Sequence, residues 1–219
     1  MAAPLKTRER IIQASLELFN SQGERSVTTN HIAEYLRISP GNLYYHFSNK
    51  QAIIAELFIR YESDVDGFLR LPEGREPSIA DKNFYLESLL EAMWRYRFLH
   101  RDLEHLLDND PSLAERYQLF SERCLQGAQT IYQGFCDAGI LVMTALQIEA
   151  LTLNSWIILT SWVRFLCTSQ HKSGDLSEEM LRRGIYQVLA LEVGLIAPAA
   201  RAEIEALHQT YYVPLEALV

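Results

Sequence analysis

Between residues 28 and 50 the chain gathers side chains suited to reading a hydrogen-bonding surface: Thr28, Thr29, Asn30, Ser39, Asn42, Tyr44, Tyr45, His46 and Lys50. Hydroxyls, amides and an ammonium are the groups that meet base edges and phosphates on duplex DNA. A second cluster has the residue types of a metal site: His100, Asp102, Glu104, His105, Asp108 and Asp110. His100 and Glu104 lie four apart and could share an ion. The competing reading is a solvated helix junction with capping acids. It is preferred, because matches this loose arise often by chance. No G-x-S-x-G, phosphate-cradling glycine loop, H-E-x-x-H or paired-cysteine motif occurs. No catalytic residue, metal or cofactor is therefore assigned, and the chain is not expected to be an enzyme.

The first cluster needs helices to position it. Thr28 or Thr29 is a good N-cap, since its hydroxyl accepts from an unpaired amide of the first turn. Ile32, Ala33 and Leu36 then share a face, and Arg37-Ile38 forms a tight connection. Ser39-Pro40 is a second start signal, with Ser39 as the cap and Pro40 at the first helical position. Leu43 and Phe47 lie four apart and can pack on the preceding helix. Asn42, Tyr44, Tyr45 and His46 are left on the other faces. Ser48 with Gln51 reads as a capping box for the next helix. Two helices on so short a turn, the second polar and aromatic outside, make a helix-turn-helix, which lays its second helix in the major groove.

The segment resembles the DNA-binding domain of the TetR family of bacterial transcriptional regulators. The matching pieces are Ile11-Ile12-Gln13-Ala14, Leu18-Phe19, Gly23, Thr28-Thr29, Ile32-Ala33, and above all Gly41 to Phe47 followed by Asn49-Lys50. They span about the first quarter of the chain. One departure is Arg37, where the family usually has glycine; a left-handed conformation there costs about 1 kcal/mol. The resemblance implies that Asn42 and Tyr45 face base edges, with Thr28, Thr29, Asn30, Ser39 and Pro40 in the same surface. It implies that Tyr44, His46 and Lys50 contact phosphate and that Gly41 lets the backbones approach closely. It also implies a homodimer, a double-stranded operator, a small-molecule effector, and repression relieved when the effector binds.

Whole-chain numbers bound the rest. The chain has 219 residues, 48% hydrophobic and 22% charged, which suits a globular protein and excludes disorder. Cys124, Cys136 and Cys167 are odd in number and widely spaced, as free thiols in a reducing cytoplasm would be. Met1 to Pro4 is too short for a signal peptide before a charged helix, so a cytoplasmic protein is expected. Net charge is −8, yet residues 1–60 hold seven basic against five acidic side chains, leaving thirteen against twenty-three for the rest. A weakly basic head on an acidic body fits a protein whose head alone meets phosphates.

The periodicity predicts an all-α chain. An N-terminal three-helix helix-turn-helix domain over 1–60 precedes a helical effector-binding and dimerisation domain over 61–219. Helices are expected from Lys6 to Ser21, from Lys50 to Phe68, from Ser78 to His100, briefly over Asp102 to Leu107, from Asp110 to Gly139, from Thr144 to Gln170 and from Ser177 to Ala197. A short helix after Pro198 and a tail from Tyr211 follow. Ala150 to Thr168 is nearly long enough to span a bilayer, but Asn154, Thr160 and Arg164 interrupt it. A place between a core and a partner chain suits it better, and no membrane is expected. By the resemblance, this helix and the next form a two-fold interface through Leu159, Trp162, Val163, Ile185, Val188 and Leu189. Phe84, Met93, Trp94, Phe98, Leu106, Tyr117, Phe120 and Trp156 could line an apolar pocket, with Arg97 and Asn154 fixing a polar end. The effector expected is neutral, cationic or fatty, or an anion paired with Arg97 or Arg164. Two alternatives stand beside this: a helical module whose head pairs with protein, and an enzyme of the His100–Asp110 cluster.

Overall fold

The computed structural model describes residues 6–169 and 176–214. The expected start Met1 to Pro4, the helix end at Gln170 and the tail beyond 214 lie outside them. Ten α-helices occur among the described residues: α1 (Thr7–Gln22), α2 (Thr29–Leu36), α3 (Pro40–His46), α4 (Lys50–Phe68), α5 (Ile79–Arg95), α6 (Arg97–Asp108), α7 (Pro111–Asp137), α8 (Ala145–Ser169), α9 (Glu178–Glu192) and α10 (Arg201–Tyr211). The fold is all-α, an N-terminal helix-turn-helix followed by a helical body.

The head is built as its periodicity dictates. Ile11, Ile12, Leu18 and Phe19 of α1 meet Ile32, Ala33, Leu43 and Phe47 around the first half of α4. The start of α4 is capped by Asn49, whose Oδ1 accepts from Ala52 N at 2.8 Å, and not by the expected Ser48–Gln51 box. Helix α4 changes partners in the middle. Arg60 binds Glu9 of α1 at 2.6 and 2.7 Å, whereas Glu62 is held by Arg116 and Arg123 of α7.

The expected helix Ser78 to His100 is two helices, broken at Tyr96. No proline or glycine marks the break. It is made from outside: the Asn20 amide donates to Arg95 O at 2.8 Å and accepts from Phe98 N at 3.1 Å, replacing bonds a continuous helix would make. Asp110 caps α7 and the Thr144–Gln147 box opens α8, both as expected. Helix α9 stops at Glu192, short of Ala197, because residues 195–197 cross to the strand-like Ile140–Val142 and exchange backbone bonds of 2.7 and 3.0 Å with it.

Helices α8 and α9 pack on each other within one chain, and this corrects most of the expected dimer surface. Val163, Ile185 and Leu189 are fully buried, and Val188 nearly so. Apolar side chains already sealed inside one chain cannot also meet a partner. Trp162 lies flat on Gly184, where an added Cβ would come within 2.5 Å of its ring, and its Nε1 donates to Met180 O at 2.7 Å. The open face of α8 carries Leu146, Leu153, Ile157 and Phe165 instead. Among the described residues α8 alone is long and apolar enough to cross a membrane, and only 28% of its most apolar stretch is buried within the chain.

A buried polar network ties the body together. Lys82 Nζ of α5 meets Glu192 of α9 at 2.6 Å, both side chains almost without solvent contact. Glu192 also accepts from Tyr132 OH of α7 at 3.3 Å, and Tyr132 shares a bond with Ser155 Oγ of α8 at 3.1 Å. Removing the lysine strands a carboxylate in an apolar interior. Lys82→Ala should therefore lower stability by about 3–5 kcal/mol, read as an earlier urea midpoint at fixed protein concentration. An unchanged midpoint would show that water reaches Glu192.

Candidate functional site

Helix α2 begins at Thr28, whose hydroxyl accepts from His31 N at 3.3 Å while Thr28 N donates to His31 Nδ1 at 3.3 Å. Histidine thus does the work usually given to glutamate in a capping box. The turn into α3 is made by Arg37 at φ 56°, ψ 42°, and Ile38 N donates to Ala33 O at 3.0 Å. Arg37 thus holds the left-handed conformation that glycine adopts more cheaply. Ser39 Oγ then accepts from Asn42 N at 3.2 Å, with Pro40 at the first helical position.

Only Leu43 of α3, with Phe47 behind it, is buried; the remaining face of α3 is open. Tyr45 is 85% exposed, a large aromatic that nothing in the chain covers. Thr28, Asn30, Ser39, Pro40, Gly41, Asn42 and Tyr44 are also exposed, and Thr29 and His46 are half-buried. Tyr44 OH is bonded to Thr29 Oγ1 at 2.9 Å, which fixes the ring against α2. A Cβ on Gly41 would meet nothing nearer than Ser39 Oγ at 4.0 Å, so packing within the chain does not require this glycine. The sequence-derived surface is thus one contiguous face, with one exception. Lys50 turns inward: its Nζ donates to Glu24 O and Val27 O at 3.0 Å each and meets Glu24 Oε1 at 2.6 Å. An ammonium has three donors, and all three are taken. The structure makes Lys50 the pin between the turn before α2 and the start of α4.

The body holds an apolar cavity of about 140 Å³ between α4, α5, α6, α7 and α8. Of the expected pocket residues it takes Met93, Phe120 and Trp156. Tyr117 stacks beside Phe120 and Trp156. The others lie elsewhere. Phe84 is exposed, and Asn154 is exposed on the outer side of α8. Phe98 packs on Phe19 of the head, and Leu106 joins the same core. Trp94 packs toward α9 and carries the Arg97 guanidinium 4.1 Å from its ring; Arg97 also donates to Trp94 O. Arg164 pairs with Glu104 at 2.8 Å. No arginine therefore supplies a polar end to the cavity.

The residues missed were Tyr61, Val65 and Phe68 of α4, His100 of α6, and Thr152 and Ser155 of α8. Leu159, expected at a dimer surface, also lines the cavity. One signal was available: the apolar stripe of α4 runs on past the head and needs something to cover it. Tyr61 OH and His100 Nε2 bond at 3.2 Å. Burial pushes His100 down to about 4, so the ring is neutral at pH 7, and burial pushes the Cys124 thiol up to about 12. The supposed metal cluster is dispersed: His100 is buried with Tyr61, Asp102 with Arg101, Glu104 with Arg164, and Asp110 caps α7. Among the described residues no three His, Cys, Asp or Glu side chains converge for an ion.

Two family models match. Residues 11–57 match the bacterial regulatory proteins of the tetR family, and residues 60–204 match the TetR bacterial transcriptional repressor. A solved TetR-family transcriptional regulator from Marinobacter aquaeolei VT8 is 47% identical with a TM-score of 0.87, over 95% of this chain and 100% of that one. The uncharacterized HTH-type transcriptional regulator YvkB of Bacillus subtilis is 32% identical over 68 residues, 31% of this chain. The HTH-type transcriptional regulator UidR of Escherichia coli K12 is 39% identical over 54 residues, 25% of this chain. These two matches span only 36% and 28% of those proteins' own lengths.

The inward Lys50 has a measurable consequence. Lys50→Ala leaves the buried Glu24 carboxylate and two carbonyls without their donor, so the head should lose about 1–3 kcal/mol or more. The salt slope of DNA binding, measured where the variant is folded, should not change. A slope smaller by about one would return Lys50 to the phosphates.

Proposed function

The chain belongs to the TetR family of bacterial transcriptional regulators, and on that premise we propose that it is a homodimeric repressor. In this reading it grips a near-palindromic operator with α3 and releases it when a small ligand enters the body cavity. DNA binding and repressor-type regulation belong to the family, whose members are regulators and not enzymes. The observation that carries the reading is the open face of α3, with Asn42 and Tyr45 projecting where no part of the chain meets them. Asn42 and Tyr45 face base edges, flanked by Thr28, Thr29, Asn30, Ser39 and Pro40. Tyr44 and His46 lie toward phosphate. We place the protein in the bacterial cytoplasm, where its operator is.

The division into a DNA-binding unit over 1–60 and an effector and dimerisation unit over 61–219 is supported by the change of partners between Arg60 and Glu62. Dimerisation is supported by the open apolar face of α8, where Ile157 is 51% and Phe165 47% exposed. Apolar stripes of this length mark interfaces. A two-fold protein asks for a two-fold site.

Selection of genomic fragments on the purified protein should return one sequence with two-fold symmetry, and Tyr45→Ala should alter which bases are preferred. The double variant Ile157→Glu, Phe165→Glu should be monomeric by light scattering. It should bind its operator about a hundredfold more weakly, since the second head no longer assists the first. A clean monomer for the unmutated protein would remove the dimer. Absence of any salt-sensitive shift of duplex DNA would turn the head toward a protein partner.

A further inference from the structure

We propose that the effector of this chain is a compact, uncharged molecule about the size of one aromatic ring, with a single hydrogen-bonding group that meets the Thr152 hydroxyl. The proposal rests on reading the body as an effector domain, and it names the class of ligand the body takes.

Size comes first. The cavity holds about 140 Å³. An apolar cavity of roughly 150 Å³ takes one benzene ring. A long acyl chain would have to force α4, α6 and α8 apart. Charge comes second. No Asp, Glu, Lys or Arg lines the cavity. Arg97 and Arg164 are engaged with Trp94 and Glu104. His100 is buried and neutral. An ion entering this space would lose its water and gain no partner. The body's net negative charge therefore does not select a cation, because none of it faces the cavity.

The polar groups on the wall decide the rest. Tyr61 OH is bonded to His100, Ser155 Oγ to Tyr132, and Thr160 Oγ1 donates to Trp156 O at 2.7 Å. Thr152 is different. It lines the cavity, is 2% exposed, and its Oγ1 has no hydrogen-bond partner. A buried hydroxyl left unpaired is unfavourable, and it can both donate and accept. A ligand with one hydroxyl or carbonyl beside a ring satisfies it, while Met93, Phe120 and Trp156 enclose the ring.

The test is calorimetric titration of the full-length protein, without DNA, with p-cresol, toluene, benzylammonium and dodecanoate. The expected result is one site per chain for p-cresol, binding about tenfold weaker for toluene, and none for the two ions. Thr152→Val keeps the shape and removes the hydroxyl, so it should erase the preference for p-cresol over toluene. Thr152→Ser should keep it, and melting curves verify that both variants fold. Ala128→Leu, which fills the cavity, should abolish binding of both rings. The proposal is overturned if dodecanoate or benzylammonium binds best, if no probe binds, or if Thr152→Val keeps the preference. The same titrations with operator DNA separate the two readings. Binding of p-cresol as expected, with no change in operator affinity, would uphold the ligand class and remove ligand-controlled release.

Discussion

The side-chain amide of Asn20 is the joint on which the architecture turns. It belongs to the last turn of α1, yet both its hydrogen bonds are spent on the body, one ending α5 and one starting α6. The contact is reciprocal. Arg101 of α6 donates to Phe19 O at 2.6 Å and Asn20 O at 3.3 Å, satisfying carbonyls that a helix C-terminus leaves without partners. Asp102 accepts from Glu24 N at 3.4 Å just beyond. Head and body thus complete each other's backbone bonding, and neither set of groups can be withdrawn without leaving buried polar atoms bare. The break that Asn20 imposes also aims the body. It puts Phe98 against Phe19 and His100, two residues on, against Tyr61 at the cavity.

A second constraint acts from the far side. The Lys82–Glu192 pair, with Tyr132 and Ser155, links α5, α7, α8 and α9 through one chain of bonds. Such a pair adds little net stability over well-packed apolar residues, but it tolerates only one relative placement of its helices. The cavity lies between the two constraints. The Asn20 joint sets the α6 wall, and the polar network holds α5, α7 and α8. Thr152 sits one turn before Ser155 on α8, so its bare hydroxyl is kept in place by the same network.

What could be read in the sequence was what neighbouring residues decide. The turn Arg37-Ile38, the cap Ser39 with Pro40, the packing pair Leu43 and Phe47, and the Thr144–Gln147 box are settled within a few residues. The errors lie where distant residues decide. The break at Tyr96 depends on a side chain 75 residues earlier. Lys50 has the position of a phosphate ligand, but its partners come from a turn more than twenty residues away. Val163 and Ile185 have the hydrophobicity of an interface, and only the pairing of α8 with α9 shows that they are interior. The cavity was half legible: its aromatic members stood out by type. Tyr61 and His100 did not, because α4 read as part of the head and His100 as part of an acidic cluster. No sequence pattern announces a hydroxyl without a partner.

The geometry also limits how a ligand could act on DNA. A site coupled to the operator needs only about 1.4 kcal/mol of differential affinity for a tenfold loss of binding. A ligand of about eight heavy atoms has at most roughly 1.5 kcal/mol per atom to spend on all its contacts. The required fraction is small, but it must fall on elements whose position differs between the two states. Both candidates line the cavity. Tyr61, Val65 and Phe68 are on α4, which runs straight into the head, and His100 is on α6, which the Asn20 and Arg101 bonds fasten to α1. Contacts with α7 and α8 alone would tighten the body and leave the heads where they were. On this reading the ring of an effector works through its α4 and α6 neighbours, and the Thr152 contact anchors it on the side that stays still.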